Sequence, residues 1–375
     1  MTSKERILKV FNGGLPDRVP LHFGFNSFMG GMREEIYKHA SFKEILEFMD
    51  ANVDIIVQMT PKFTDGLGLF LTATNEVEKE VSRWREESST YIKTVIHTPK
   101  GDLQKLERID DDVATVWKLE HAIKTEEDVD RFLSIPYVTP RPDMSDIEKK
   151  VRQIGDSGMV FISLLDPIRE VNELMSFEEF MVWCVTEPEM IFKLMDVTHQ
   201  RVMDITKDVL EQGLSPVIVL NGIEYATPPY VPRAMLEEFM TRYYIDLIQM
   251  IHDYGCKAYI HSHGNVGTIL DEMLRIGIDA LHPVEAPPGG DITLEEAKKI
   301  LGDKVVIAGN IQFGDIELLD EDEIEQIVKN TVLAGKQGGS FMLATTSSAI
   351  KRPLSERMAK NYRRAVETAL KYGCY

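Results

Sequence analysis

The 375-residue chain is 43% hydrophobic and 27% charged, a balance that fits a globular protein with one large α/β domain or two ordinary ones. Its 42 Lys and Arg residues against 61 Asp and Glu give a net charge of −19, which disfavours nucleic acid and anionic lipid as partners. No apolar run could span a bilayer and the charged N-terminal segment is unlike a signal peptide, so we expect a cytoplasmic protein without a membrane partner.

Eight short β-rich runs alternate with helical patterns along the chain. Several runs are apolar on both alternations, which is typical of buried parallel strands. The runs cover residues 19–26, 53–60, 159–166, 216–224, 258–264, 280–286, 305–311 and 341–348. Eight strands that alternate with helices predict an α/β protein, a single (β/α)8 barrel domain over residues 1–375.

Helical patterns fill the segments between the runs. Segments 42–52 and 270–278 carry apolar residues three and four positions apart, the spacing of a helix with one buried face. The stretch "TLEEAKKILGDK" opens with Thr293 as an N-cap ahead of acidic residues, and Gly302 is placed to end its helix. These patterns supply the helices that a barrel needs between its strands.

One segment does not follow the strand–helix alternation. Residues 77–107 alternate polar and apolar side chains and contain the turn sequence "TPKGD", which predicts antiparallel strands. A helical stretch of roughly 120–155 follows them. We therefore predict an antiparallel β-hairpin and helical insertion at about 77–155, after the second barrel strand.

Polar side chains cluster where the predicted strands end. In a barrel of this kind the catalytic residues lie at the C-terminal ends of the strands. Two imidazoles and two carboxylates from three neighbouring strands can then converge on one axial cavity. The polar residues at these ends are Asn26, Asp166, Asn221, Glu224, His261, His263, Glu285, Asn310, Thr345, Thr346 and Ser347.

His261 and His263 suggest a metal site. Residues i and i+2 of an extended strand point to the same side, so both imidazoles can face one point. Zinc accepts imidazole nitrogen and carboxylate oxygen at about 2.0–2.2 Å, and Glu224 could complete three ligands with an open fourth position. Glu285 is a further candidate ligand. The alternatives are that His261 caps a helix, His263 bonds a carbonyl and Glu285 forms a salt bridge.

A substrate pocket is expected beside these residues. The stretch "FGFNSFMGGM" (23–32) is rich in Phe, Met and Gly and could line a pocket for a flat apolar substrate, or simply pack. Asp166 could instead pair with Arg169 across a turn. The residues expected to contact substrate are Phe23, Phe25, Asn26, Met29, Asp166, Asn221, Tyr225 and Asn310.

Two further expectations concern structural roles. Asp17 and Arg18 precede the first strand, and we expect them to pair with each other at the bottom of the barrel. His22 and His282 lie inside strand runs, and we expect them to be core residues whose hydrogen bonds are satisfied.

Three stretches resemble one family. They are "SKERILKVFNGGLPDRVP" at 3–20, the segment 258–311 and "MAKNYRRAVETALKYGCY" at 358–375. Together they are similar to the uroporphyrinogen decarboxylase superfamily, and the likeness extends over nearly the whole chain. This resemblance implies a (β/α)8 barrel, in agreement with the strand count.

The superfamily has two main branches. Its decarboxylases carry an arginine-rich loop near the first strand, whereas here the nearest arginine beyond that stretch is Arg33, so the many carboxylates of uroporphyrinogen would stay unpaired. Its cobalamin-dependent methyltransferases bind zinc through a His-x-Cys pair on the fifth strand and a later Cys. His261 matches the family histidine, His263 stands at the first cysteine position, and "ATTSS" (344–348) offers no second cysteine.

The resemblance and the changed ligands lead to a functional hypothesis. Imidazole and carboxylate leave zinc a harder Lewis acid than thiolates do, which suits polarising an ether oxygen. We therefore expect His261 and Glu224 to act in moving a methyl group from a methyl ether, such as that of a phenol, to cobalt(I) of a separate corrinoid protein. The alternatives are a metal-free decarboxylase or lyase and a non-catalytic barrel that binds a corrinoid or partner. The oligomeric state, including a homodimer, is left open.

Overall fold

Eight parallel strands form the centre of the molecule. The structure, a computed structural model, describes residues 1–23, 38–63, 71–111, 113, 115–349 and 353–375. The strands pair in chain order from the second to the eighth, and the eighth pairs with the first. In chain order they are Leu21–His22, Ile55–Met59, Gly158–Leu164, Val217–Asn221, Lys257–His261, Ala280–His282, Val306–Ile311 and Phe341–Thr345. The predicted (β/α)8 barrel is confirmed.

Asp54 bridges the seam between the first and second strands. Its N–H donates to the carbonyl of Leu21 at 3.0 Å, and its Oδ2 accepts from the N–H of Leu21 at 2.8 Å. The same fully buried carboxylate binds Arg6 at 2.6 Å and Arg18 at 2.7 Å. The predicted pair of Asp17 and Arg18 is therefore wrong. Asp17 binds Arg6 instead, because Arg18 reaches the buried Asp54.

The barrel interior is apolar at the N-terminal ends of the strands, and the N-terminal helix Ser3–Phe11 closes that end. Phe11 packs edge-on against Phe161 of the third strand at 5.7 Å between ring centroids, and lies 6.5 Å from Tyr259 of the fifth. Alternate residues of each strand point into this core, while their neighbours face the surrounding helices. Because this part of the interior is filled, the candidate site is sought at the opposite, C-terminal ends of the strands.

Helices cover the outside of the barrel. Thr293 caps its helix as predicted, because its side chain accepts from the N–H of Glu296, and Gly302 with φ of 64° ends it. None of the helices in the described ranges is long and apolar enough to cross a membrane. In chain order after Ser3–Phe11, the α-helices of the described residues are Ala40–Asn52, Glu126–Leu133, Ser145–Ile154, Pro167–Leu174, Phe177–Thr186, Pro188–Leu210, Arg242–Asp253, Leu270–Ile276, Leu294–Leu301, Phe313–Leu318, Glu321–Gly335 and Glu356–Tyr372.

The insertion after the second strand is antiparallel, as the alternating pattern predicts, but it is a sheet of four strands rather than a single hairpin. Its face nearest the barrel buries Ile96 and Leu103, and Lys118 forms an ion pair with Glu173 of the helix that follows the third strand. The predicted helical stretch 120–155 contains two helices, Glu126–Leu133 and Ser145–Ile154, with non-helical chain between them. The four strands are Glu78–Glu86, Ser89–Thr98, Gly101–Asp110 and Val116–Glu120.

Candidate functional site

The barrel interior changes from apolar to polar at the C-terminal strand ends. The side-chain period of two that points Val219 and Tyr259 into the core also points Asn221 and His261 inward. Asn221 pairs in register with His261, and His261 with His282, so these residues lie at one level of the barrel. Members of this polar layer are His22, Ser163, Asn221, His261, His282 and Asn310.

The strands end earlier than the predicted runs. The fourth stops at Asn221 because Gly222, with φ of 145°, turns the chain into a short 3-10 helix that carries Glu224. The fifth stops at His261, and His263 lies just beyond it. The rings of His261 and His263 are still neighbours, perpendicular to one another with centroids 4.7 Å apart. The structure thus brings the two histidines together.

The tautomer of His261 follows from its partners. Nε2 of His282 lies 3.0 Å from the carbonyl oxygen of Thr345, which can only accept, so this nitrogen carries the proton. Burial lowers the pKa of His282 to about 4, so its ring is neutral near pH 7 and Nδ1 is a lone pair. The Nδ1–H of His261, 2.9 Å away, donates to it. Because burial also lowers the pKa of His261, its Nε2 remains an unprotonated lone pair.

His263 is held in a similar way by Glu285. Its Nδ1 lies 3.1 Å from Oε2 of Glu285, and the same oxygen accepts from the N–H of Gly264 at 3.0 Å. Burial disfavours the charged form of His263, but the hydrogen bond and charge of Glu285 outweigh it and raise the pKa of His263. Nδ1 therefore donates to the carboxylate, and Nε2 is left for another partner. This places Glu285 beside His263 as a group that orients it.

The half-buried carboxylate of Glu224 and the buried carboxylate of Asp166 lie just beyond the neighbouring strand ends. Burial raises the pKa of Glu224, and its Oε2 has no hydrogen-bond partner among the described residues. Burial raises the pKa of Asp166 to about 7. Oδ1 of Asp166 accepts from the backbone N–H of Arg169, so the two residues form a helix cap rather than an ion pair. The Tyr244 hydroxyl also faces Asp166 and lowers its pKa, although neither this hydroxyl nor Oδ2 of Asp166 has a hydrogen-bond partner among the described residues.

The site therefore offers acceptor atoms. Nε2 of His261, Nε2 of His263 in its neutral form, and oxygens of Glu224 and Asn310 have no hydrogen-bond partner in the described part of the chain. Such a set is chemically suited to a cation, and imidazole with carboxylate suits zinc. As placed, no three His, Cys, Asp or Glu side chains in the described part of the chain are arranged around one metal position. The ligand set suggested by the sequence is thus adjacent but not preassembled.

The other residues expected to contact substrate are placed differently. Phe23 is fully buried and packs edge-on against Tyr362 at 6.4 Å, which makes it a core residue. Tyr225 is half-buried next to Glu224 and contacts Phe177, with ring centroids 5.4 Å apart. Asn221 donates from Nδ2 to Oγ of Ser163 at 2.9 Å. Three expected residues lie outside the described part of the chain: Phe25, Asn26 and Met29.

Sequence reasoning missed three residues that border the cavity. His282 is a satisfied core residue, as expected, but it also binds His261. Tyr244 reaches Asp166 from the helical segment that precedes the fifth strand, and Arg169 lies one turn beyond the third strand. Counting the inward positions of the sixth strand from Ala280 would have found His282. No sequence signal identifies Tyr244.

Known proteins include one solved structure with this fold and one family whose model matches the chain. A methyltransferase from Methanosarcina mazei superposes with a TM-score of 0.63 at 15% identity, over 99% of each chain. A sugar phosphate isomerase/epimerase from Parabacteroides distasonis gives a TM-score of 0.43 at 11% identity, over 96% of each chain. No curated protein matches. The family model for uroporphyrinogen decarboxylase (URO-D) matches residues 2–350, and the chain therefore belongs to the uroporphyrinogen decarboxylase family.

Proposed function

We propose that the protein is a zinc-dependent methyltransferase that moves a methyl group from a methoxylated aromatic compound to the cobalt(I) of a corrinoid protein. The observation that carries this proposal is the pair of adjacent rings of His261 and His263, each with Nδ1 engaged and with Nε2 free of any hydrogen-bond partner among the described residues. The fold shared with a Methanosarcina mazei methyltransferase and membership of the URO-D family support it.

His261, His263 and Glu224 are the residues that would hold zinc. Metal-binding histidines usually donate their second ring N–H to a carboxylate, a carbonyl or another fixed acceptor, and both histidines do so here. Glu285 serves as that acceptor for His263. When bound, zinc supplies Lewis acidity toward an oxygen of the substrate.

The residues of the chain have separate tasks in this reaction. The bond between the methyl carbon and the ether oxygen breaks, the carbon passes to the cobalt acceptor, and the oxygen keeps the electron pair and takes up a proton. His282 and Glu285 orient the two imidazoles. Tyr225 and Phe177 form an aromatic wall next to Glu224 that suits a flat ring. Asp166, with a pKa near 7, lies at the same mouth and could supply the proton.

Two measurements on the purified protein test this function. Elemental analysis should find one zinc per chain, and a screen of methoxylated aromatics with a cobalt(I) corrinoid acceptor should give the methyl–cobalt absorbance. His261→Ala should abolish both signals while leaving the circular dichroism spectrum unchanged. His97→Ala is the matched control, because His97 is an exposed histidine on the inserted sheet. Full zinc retention by His261→Ala, or turnover of uroporphyrinogen by the wild type, would contradict the proposal.

A further inference from the structure

Arg169 lies at the mouth of the candidate site. It is the third residue of the helix Pro167–Leu174, which begins directly after the third strand, and it is half-buried. A Cβ atom added to Gly222 would lie only 2.6 Å from Cβ of Arg169. The arginine side chain therefore leaves its helix against the end of the fourth strand, two residues before Glu224.

The guanidinium of Arg169 has no partner among the residues that the structure describes. It forms no ion pair and no side-chain hydrogen bond with any residue that the structure describes. Acidic residues outnumber basic ones by 61 to 42, and most arginines in the described ranges form an ion pair with a carboxylate. Arginines that do pair with a carboxylate are Arg6, Arg18, Arg85, Arg108, Arg131, Arg152, Arg233, Arg242, Arg275, Arg363 and Arg364.

The Arg169 side chain packs beside Asp166 at the edge of the site. A Cβ atom added to Gly222 would lie 2.9 Å from both carboxylate oxygens of Asp166 as well as 2.6 Å from Cβ of Arg169, so both side chains lie against Gly222 at the end of the fourth strand. Burial raises the pKa of Asp166, and the positive charge of Arg169 opposes this shift.

The nearby acids leave this charge largely uncompensated. Burial raises the pKa of Glu170 to about 8 and that of Asp166 to about 7, so both carboxyls carry protons for much of the time near neutral pH. Glu173 is already paired with Lys118. A guanidinium binds a carboxylate through two parallel hydrogen bonds, and no described residue of the site makes such a pair with Arg169.

We propose that Arg169 binds a carboxylate of the substrate, which makes the methyl donor a methoxylated aromatic acid. This inference rests on the proposed function and specifies its substrate class. One guanidinium suits a single carboxylate, whereas uroporphyrinogen carries many. Arg169 therefore does not favour the decarboxylase alternative. The carboxylate orients the ring and remains on the demethylated product.

Binding to the full-length protein without any corrinoid tests the inference. Isothermal titration calorimetry compares 4-methoxybenzoate with the neutral 4-methoxybenzyl alcohol. Arg169→Leu should weaken binding of the acid about 10- to 100-fold, as expected for a charge-assisted hydrogen-bond pair, and change binding of the alcohol less than about twofold. Arg169→Lys should recover part of the loss, because it keeps the charge without the planar fork. Arg83→Leu, on the exposed edge of the inserted sheet, is the control.

The outcomes separate this inference from the proposed reaction. Equal weakening of acid and alcohol by Arg169→Leu, or a wild type that binds both equally, would overturn the carboxylate site even if methyl transfer is found. Selective loss of acid binding would sustain the site even if no methyl reaches cobalt. Release of the carboxylate as carbon dioxide would overturn the inference, because the carboxylate would then be the reacting group.

Discussion

Replacing His282 tests how the site prepares His261. His282→Ala removes the acceptor of the His261 Nδ1–H bond and one donor to the carbonyl of Thr345. The His282 side chain is 9% exposed, and its ring stacks on that of His261 with centroids 5.0 Å apart. The variant should therefore free His261 to place its proton on either nitrogen, including the nitrogen that would bind a metal.

The size of the effect follows from the lost hydrogen bond. A buried hydrogen bond between neutral groups stabilises by about 1–1.5 kcal/mol net, and about 1.4 kcal/mol is a factor of ten in an equilibrium constant. Loss of the bias towards Nδ1–H should thus weaken zinc binding about tenfold. This is the lower end of the range of about 10- to 100-fold seen when groups behind metal ligands are replaced.

Nitrogen-15 NMR of histidine-labelled, metal-free protein measures the tautomer directly. In the wild type, Nε2 of His261 should give the signal of a nitrogen without a proton, assigned by its loss in His261→Ala. In His282→Ala this signal should shift towards the protonated form, and competition with a chromophoric chelator should show the weaker zinc affinity. His282→Asn, which can place an amide oxygen near the former Nδ1, should recover part of both. An unchanged His261 signal in His282→Ala would refute the reasoning.

Three other variants probe the acids and the backbone around the barrel. Glu170 binds its proton more tightly when folded, with a pKa of about 8 against 4.5, so wild-type stability should fall as pH rises through this window. Urea unfolding should then show Glu170→Gln gaining on the wild type as pH rises; a constant difference would contradict the burial effect. Asp54→Asn should lower the free energy of unfolding by about 3 kcal/mol, since it removes the carboxylate that pairs with Arg18 and leaves Arg6 only Asp17, and a loss below about 1 kcal/mol would contradict that role. Gly222→Ala should abolish methyl transfer, because its Cβ would lie 2.9 Å from both oxygens of Asp166, whereas Gly213→Ala, with positive φ but no neighbour within 4 Å, should keep activity.

The strand–helix order was readable from the sequence because buried parallel strands and capped helices leave local patterns. Thr293 and Gly302 mark one helix at both ends, and the alternation of 77–107 marks the inserted sheet. Contacts between residues far apart in the sequence have no local pattern from which they could be predicted. Arg18 follows Asp17 directly, yet its partner is Asp54, which the chain brings to the seam only when the barrel closes.

The candidate site likewise contains residues that the sequence reveals and residues that only the folded structure reveals. His261 and His263 stand out because they are close in sequence at a strand end. His282 acts on His261 through strand register, which fixes their separation across two neighbouring strands. Arg169 is recognisable because its guanidinium lacks a partner within the described ranges, a property of the folded chain that no local pattern encodes.

Zinc content is the most direct test of the account. The wild-type protein, purified without chelators and dialysed against metal-free buffer, should contain one zinc per chain by elemental analysis. His261→Ala should contain almost none, while His97→Ala should match the wild type. A wild-type protein that holds no zinc, and takes up none when it is supplied, would contradict the claim that the two imidazoles and their neighbouring acid form a cation site.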